Sequence, residues 1–233
     1  MNQPSPHLPL TPMTDEQREK EAYYNPYHGC KVQRSDIINF LIKKHNYKNY
    51  LEIGVANGIN LQSIEISHVD GVDPGAEGII APETNYPMTS DAFFESIEGR
   101  PFKYDIIFVD GLHYDYQVYN DVLNSLKHLA SNGTIVCHDM NPQWSIVQNK
   151  SRTPGIPEWN GDCWKAWAAL RTELKDHNMQ VVNTDQGVGV ISSGAQQCIT
   201  LPCEAFDLDY SYLAANRETL LNLVSVDDFF NQE

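Results

Sequence analysis

Basic residues are scarce in this chain. Sixteen Lys and Arg stand against 31 Asp and Glu, a formal net charge of −15 at pH 7 with His neutral. A surface of that sign repels phosphate backbones, which disfavours nucleic acid as a partner, and it leaves no cationic patch for an anionic membrane. Long apolar runs are missing as well. The longest aliphatic stretches, such as Ile106-Ile107-Phe108-Val109, fall far short of the ~20 residues that a membrane span needs. The opening MNQPSPHLPL has no basic segment ahead of an apolar one, so no secretory leader is expected. Cysteine is sparse and odd in number: Cys30, Cys137, Cys163, Cys198 and Cys203, at spacings that fit no metal site. The expectation is reduced thiols in a cytoplasmic setting, with no local bridge between Cys198 and Cys203. Internal repeats and low-complexity tracts are absent.

What is present is 233 residues with 41% hydrophobic composition, enough for one large α/β domain with a full core. Residues 1–33 read as an N-terminal arm. It contains a Pro-rich start, a short helix from Thr14 to Ala22 in which Thr14 and Gln17 make a capping box, and a ring-rich loop, Tyr23 to His28, that is a candidate lid. Residues 34–193 alternate helices and strands. Helical spacing of Ile37, Ile38, Leu41 and Ile42 predicts a helix from Ser35 to Lys44. A buried strand at Tyr50–Gly54, a helix at Ile59–Ile66, a strand at Val69–Asp73, a poor strand at Tyr86–Thr89 and a helix at Asp91–Ile97 follow. The clearest strand is Tyr104 to Asp110. A helix from Tyr116 to Ala130 is stopped by Asn132-Gly133, and a buried strand runs from Thr134 to His138. After a long loop, Asn141 to Asn160, come a helix from Asp162 to Asp176 and two strands, Gln180–Thr184 and Val188–Ile191, joined by the turn Asp185-Gln186-Gly187. Such repetition implies a parallel sheet covered on both faces, with an antiparallel hairpin at its end. Residues 194–233 carry seven acids and, as a base, Arg217 alone. They read as an acidic extension with a helix, Tyr212 to Val224, that packs on the body or on a partner.

In an open parallel sheet, ligands sit beyond the carboxyl ends of the strands, where the strand order reverses. The residues at those ends therefore carry the chemistry. Glu52-Ile53-Gly54-Val55-Ala56-Asn57-Gly58 ends the first strand, and its glycines let backbone approach a ligand. Asp73 ends the second and can accept both hydrogen bonds of a ribose diol. Ser90 and Asp91 come next, then Asp110-Gly111-Leu112-His113, then His138-Asp139. The loop is G-x-x-x-G rather than G-x-G-x-x-G, and Glu52 lies beside it. A pyrophosphate prefers a bare helix N-terminus, whereas a carboxylate beside the loop suits a cation. S-adenosylmethionine carries an ammonium and a sulfonium and no phosphate, so these residues favour it over NAD.

The ordered segments LEIGVANG, GVDP, TSDAFF, YDIIFVDGLHYDYQV, GTIVCHDMNP and GDCWKAW resemble one group of class I S-adenosylmethionine-dependent methyltransferases, and the likeness runs from Arg34 to Ile191. The group comprises small enzymes, stand-alone or associated with glycosyltransferases, that modify sugars and secondary metabolites. The resemblance implies a Rossmann-like α/β three-layer sandwich with a seven-stranded, mostly parallel sheet ending in an antiparallel hairpin. It implies that Glu52 and Gly54 line the methionine end of S-adenosyl-L-methionine, with Ala56, Asn57 and Gly58 completing the loop. Asp73 then holds the ribose, Ser90 and Asp91 flank the adenine, and Asp110 lies near the transferred methyl. Aminomethylating relatives carry Asn/Asp-Pro-Pro-Tyr where this chain has Val-Asp-Gly-Leu-His, which points to oxygen as acceptor. A sugar hydroxyl is a weak acid, so a base is useful, and His113 and His138 are the candidates. Related sugar methyltransferases hold a divalent cation between acids, and Asp110 and Asp139 match those positions for Mg²⁺. His138 stands where those enzymes carry a second acid.

Simpler readings exist for several of these residues. Asp73 before Pro74 is also a turn former, Asp91 is a plausible N-cap for its helix, and Asp162 reads as the N-cap of the helix that contains Trp164. Trp144, Trp159, Trp164 and Trp167 are candidates either for sugar stacking or for core. Arg34 either anchors its helix or reaches a carboxylate. The expected function is O-methylation of a sugar or glycan hydroxyl by a cytoplasmic enzyme, with a small-molecule or saccharide acceptor and a homo-oligomer or glycosyltransferase as candidate partners. The alternatives are an NAD-dependent oxidoreductase of Rossmann type and a non-catalytic scaffold that keeps the methyltransferase fold.

Overall fold

The computed structural model describes residues 31–76 and 78–232. The helix of Thr14–Ala22, the candidate lid at Tyr23–His28 and Cys30 lie outside the described residues. In chain order the elements are α1 (Arg34–His45), β1 (Asn49–Ile53), α2 (Ile59–Gln62), β2 (His68–Val72), α3 (Ser90–Ser96), β3 (Tyr104–Val109), α4 (Asp115–His128), β4 (Leu129–Cys137), α5 (Cys163–Glu173), β5 (His177–Val182) and β6 (Val188–Ser193). A 3-10 turn (Ala205–Asp207), α6 (Tyr210–Leu221), β7 (Leu223–Val224) and α7 (Val226–Phe230) complete it.

The seven strands form one sheet in the order β2-β1-β3-β4-β6-β5-β7. β2, β1, β3 and β4 are parallel, β6 is antiparallel to β4 and β5, and β7 runs parallel to β5. The expected architecture, a mostly parallel α/β sandwich with an antiparallel hairpin, is what the chain adopts. Both faces of the sheet are covered, which is why β3 reads as a continuous apolar run. Alternation along the strands splits the core in two. Leu51, Ile53, Ile107 and Val109 pack with α3, α4, α5 and α6 on one side. Tyr50, Ile106 and Phe108 pack with α1 and Phe229 of α7 on the other.

Three local readings are corrected. The Tyr86–Thr89 segment makes only an isolated bridge, Val72 to Tyr86, and the seventh strand is instead β7, from the C-terminal region. α2 is a single turn that ends at Gln62, where Ser63 Oγ bonds back to the Ile59 carbonyl and Asn39 holds the Ser63 carbonyl and the Glu65 N–H. Asn132-Gly133 does not stop α4. The chain turns extended at Leu129, and the pair sits inside β4, where the register jumps from Tyr104↔Leu129 to Ile106↔Thr134. Gly133 is needed there because a Cβ would lie 2.7 Å from Leu129 Cγ and 2.8 Å from the Asp105 carbonyl. Of the two placements open for the helix of the acidic extension, the structure has the body: Leu213, Leu220 and Leu221 of α6 are buried in the same core as Trp167. Among the described residues no helix is long and apolar enough to cross a membrane. Cys137, Cys163, Cys198 and Cys203 are free thiols, as expected.

Candidate functional site

The sheet order reverses beside β1: the chain leaves β1 for β2 on one side and returns as β3 on the other. The crevice opens there, at the carboxyl ends of β1 and β3. It is a cavity of about 770 Å³ whose lining runs from Ala56, Asn57 and Asp73 through Glu52, Gly54, Ser90 and Asp91 to Asp110, His113, His138 and Asp139. Every site residue read from the sequence lines it except Gly58. That glycine has φ +80° at the start of α2, and a Cβ there would approach Glu83.

Close backbone packing shapes the crevice. Gly54, at φ +91°, lies so near the turn after β3 that a Cβ would sit on the Asp110 carbonyl, so a larger residue would force β1 and β3 apart. Glu52 is 1% exposed. Its Oε2 accepts from Tyr50 Oη at 2.5 Å and Asn60 Nδ2 at 2.8 Å. Burial pushes its pKa up to about 7, against those two hydrogen bonds. Asp73 accepts the Ala56 and Gly75 N–H groups at 2.8 and 2.7 Å, so it ties the glycine loop to the end of β2. Asp91 does not cap α3; Thr89 Oγ1 does, accepting from Ala92 N–H. Asp91 and Ser90 instead receive the Gln117 amide, at 3.1 and 3.3 Å, and that amide also reaches Asp121 at 3.1 Å. Asp121 is 1% exposed, and burial raises its pKa to about 6.

The acid and imidazole groups meet at the ends of β3 and β4. Asp139 takes a left-handed conformation, φ 66°, which Asp tolerates better than most residues. Its Oδ2 is 3.0 Å from His138 Nδ1 and 3.4 Å from His113 Nδ1. Asp110 Oδ1 is 3.3 Å from His113 Nε2 and 3.4 Å from His138 Nδ1. His138 Nε2 lies 3.5 Å from Asp185 Oδ2. Burial opposes the charge on His138, but Asp139 and Asp110 outweigh it and hold the imidazole well above its ordinary pKa. Burial would likewise raise the Asp110 carboxyl, yet the charge of His138 and the bond from His113 keep it far below the ordinary carboxylate range. His113 is raised despite burial, chiefly by Asp139 and Asp110. Asp110, His113 and Asp139 present one ligand atom each within 4.8 Å of one another. Two carboxylate oxygens and an imidazole nitrogen are a donor set that fits a divalent cation.

Asp185 is the residue that sequence reading missed, because Asp-Gln-Gly was already explained as a hairpin turn. The turn folds back on α1, where Asp185 Oδ2 accepts the Arg34 backbone N–H at 2.9 Å and its guanidinium at 3.0 Å. That also settles Arg34, which reaches carboxylates. The loop from Asn141 to Asn160 closes the other side, with Arg152, Pro157, Glu158 and Trp159 on the lining. Trp159 stacks on His113 with centroids 4.6 Å apart, and the Arg152 guanidinium lies 4.7 Å from the Trp159 ring. Trp164 and Trp167 are core. Asp162 precedes α5 without capping it; its Oδ1 accepts the Asp115 N–H at 2.8 Å at the start of α4.

No curated protein matches the sequence. Residues 51–140 match the family described as methyltransferase domain. Among solved structures, the chain is similar to an O-methyltransferase from Bacillus cereus in complex with SAH, with 15% identity, a TM-score of 0.50, and 78% of this chain and 88% of that one covered. It is also similar to a protein from Staphylococcus aureus described provisionally as a caffeoyl-CoA O-methyltransferase, with 18% identity, a TM-score of 0.51, and 76% and 91% covered. At such identities the likeness carries the fold: this chain has the fold of S-adenosylmethionine-dependent O-methyltransferases, with its central segment matching a methyltransferase domain.

Proposed function

We propose that this chain is an S-adenosylmethionine-dependent O-methyltransferase and that its acceptor is a hydroxyl of a sugar or glycan. One observation carries the reading: a single cavity joins a buried acid beside a glycine loop, Glu52 and Gly54, to a cluster of acids and imidazoles at Asp110, His113, His138 and Asp139. The methyl donor, when bound, supplies a methyl already activated by a sulfonium. The residues then have to bind, align and take up a proton. Glu52 offers a carboxylate to the donor's ammonium, and Ala56 and Asn57 line its loop. Asp73 has lone pairs left for the ribose hydroxyls after its two backbone bonds. Ser90 and Asp91, fixed by Gln117, border the adenine. The absence of an Asn/Asp-Pro-Pro-Tyr segment after β3 supports oxygen as the acceptor. Beyond Asp110, Arg152 and Glu158 offer polar groups and Trp159 a ring face, a combination that supports a hydroxylated ring as acceptor.

Both histidines have carboxylates facing both ring nitrogens, but the His113 side chain is 14% exposed against 7% for His138, so His113 is the one offered to an acceptor in the cavity and we assign it the proton. His138, the more enclosed of the two, serves as a fixed counter-charge to Asp110, Asp139 and Asp185. A divalent cation would be held by Asp110, His113 and Asp139 and would lower the pKa of the acceptor hydroxyl. His113 cannot be ligand and base together, so removing metal separates its two roles. Loss of activity in excess chelator with recovery on adding Mg²⁺ is expected if the cation is needed, and H113A should then weaken Mg²⁺ affinity; full activity in chelator leaves His113 free to act as the base.

The deciding experiment is labelled-methyl transfer from S-adenosylmethionine across sugars, glycans and small phenols, with calorimetry of S-adenosylhomocysteine and NAD. Binding of S-adenosylhomocysteine with methylation of a saccharide is expected. Binding of NAD alone would replace the reading with the oxidoreductase, and donor binding without transfer to any acceptor would favour the scaffold.

A further inference from the structure

We propose that Arg34 recognises the carboxylate at the methionine end of the methyl donor, and that Asp185 positions it for this. The inference rests on the methyl-donor reading above and adds to it a recognition residue. That end of the donor carries an ammonium and a carboxylate on one carbon. Glu52 suits the ammonium. The carboxylate, however, must enter a crevice already lined by Glu52, Asp110, Asp139 and Asp185. Without a fixed cation opposite it, repulsion from those acids would expel it.

Arg34 is the cation in the right place. It opens α1, whose N-terminus stands over the carboxyl ends of β1 and β3, and it lines the cavity. Its charge reaches Glu52, where it favours the ionised carboxyl. One arm of the fork is committed, NH1 to Asp185 Oδ2 at 3.0 Å. Its Nε is buried and has no hydrogen-bond partner among the described residues; the acid oxygen paired with it, Asp110 Oδ2, is 3.8 Å away. A buried, unsatisfied guanidinium donor is costly, and a planar carboxylate is the acceptor that a guanidinium fork fits. The other cationic groups on the lining are used differently. Arg152 lies over Trp159 in the opposite wall, His113 stacks on Trp159 between Asp110 and Asp139, and His138 is enclosed by acids.

Asp185 explains why the fork is aimed. It accepts from both the backbone and the side chain of Arg34, so it fixes the root and the tip of the same residue. Asp185 and Gln186 both adopt left-handed conformations, φ 42° and 64°. Such conformations are those a tight hairpin turn calls for, so the turn between β5 and β6 itself sets where the Asp185 carboxylate stands.

The test compares two ligands by calorimetry on the full chain. S-adenosylhomocysteine has the amino-acid end, and methylthioadenosine has the same adenosine and thioether without it. For R34Q, affinity for S-adenosylhomocysteine should fall about tenfold or more, while methylthioadenosine binds within about twofold of the original protein. R34K should fall between, and D185N should lose several-fold on S-adenosylhomocysteine alone. An equal loss on both ligands would make Arg34 a structural residue and overturn the proposal, as would no loss on either. If R34Q does not fold, R34K and D185N decide by the same contrast. If the unsubstituted chain binds neither ligand, the methyl-donor reading itself fails, an outcome distinct from failure of the variants.

Discussion

Glu52 is an acid kept out of water at the mouth of a glycine loop, and the consequence is a carboxyl that titrates near neutrality. Burial is the main cause, opposed by the Tyr50 hydroxyl and the Asn60 amide, and the result is a pKa of about 7. The sign follows directly. The folded, empty protein holds a proton here that the unfolded chain releases near 4.5, so this group's contribution to stability is full below the unfolded pKa and is lost as pH rises to the folded one. A ligand ammonium beside Glu52 reverses the preference and expels the proton. Binding of S-adenosylhomocysteine at about pH 6 should therefore release a proton, and binding at about pH 8 should release none. Calorimetry in buffers of different ionisation enthalpy reads this directly, and E52Q should abolish the release. A proton count of zero at the lower pH would remove Glu52 from the ammonium site. Glu52 was legible in the sequence because an acid inside a buried apolar strand needs a reason. Asp185 was not, because a turn is sufficient reason for Asp before Gln-Gly. Only the fold, by bringing that turn against Arg34, shows that its carboxylate has a second use.

Among the elements, the loop from Asn141 to Asn160 depends most on its ties. Its own hydrophobic contacts are few, Val147 and Ile156 with Trp144 and Ile146 beside them. It is held instead by polar links: Trp164 Nε1 to Gln148 at 2.7 Å, the Asn160 N–H to the Val147 carbonyl at 2.8 Å, and Lys150 to Asp115 and Asp162 at 3.0 and 3.3 Å. Lys150 also lies 5.5 and 5.7 Å from the rings of Tyr114 and Tyr116. Because the Lys150 side chain is 52% exposed, solvent screens these pairs, and their worth to global stability is no more than about 1 kcal/mol. Their worth to the loop is larger, since Lys150 ties its middle to the first turn of α4 and to Asp162 ahead of α5. K150M should leave the melting temperature nearly unchanged, hasten proteolysis within residues 141–160, and raise KM for the acceptor without altering S-adenosylhomocysteine affinity. A variant with an unchanged cleavage rate would show that the latch is idle. Sequence periodicity identified this stretch as a loop, yet Asp162 was read as a local cap. Its real partner is the Asp115 N–H, 47 positions away, a contact that no local pattern encodes. The same limit explains β4. Asn132-Gly133 is a turn signal by composition, but pairing with β3 absorbs it as an irregularity in a longer strand.

At the scale of the whole molecule, the acidic C-terminal region decides whether the two-sided core closes. Its sequence left the body or a partner as the surface its helix covers, and its apolar residues show that it is the body. Leu213, Leu220 and Leu221 of α6 are 0 to 2% exposed, and Phe229 of α7 is 3% exposed on the far face of the sheet. Trp167 donates its indole N–H to the Leu221 carbonyl at 3.2 Å, and β7 extends the sheet beyond β5. Arg217, the one base of the region, reaches back to Asn141 and to the Pro142 carbonyl, so it braces the first residues of the cavity loop. Each large apolar side chain taken from water contributes roughly 1.5–3 kcal/mol, so four amount to about 6 kcal/mol or more before the extended-chain correction. That is comparable to the entire ~5–15 kcal/mol of a typical domain. Deleting residues 194–233 should therefore leave a chain without a cooperative thermal transition and without S-adenosylhomocysteine binding, although every residue lining the cavity is retained. L220A, a single cavity in the same core, should cost about 2–5 kcal/mol and lower the melting temperature while leaving the ligand site occupied when saturated. Thermal unfolding followed by circular dichroism, with and without the ligand, separates the two cases. A truncated chain that still melts cooperatively within a few degrees of the full one would mean that the first 193 residues close their core alone and that the region serves some purpose other than holding the fold.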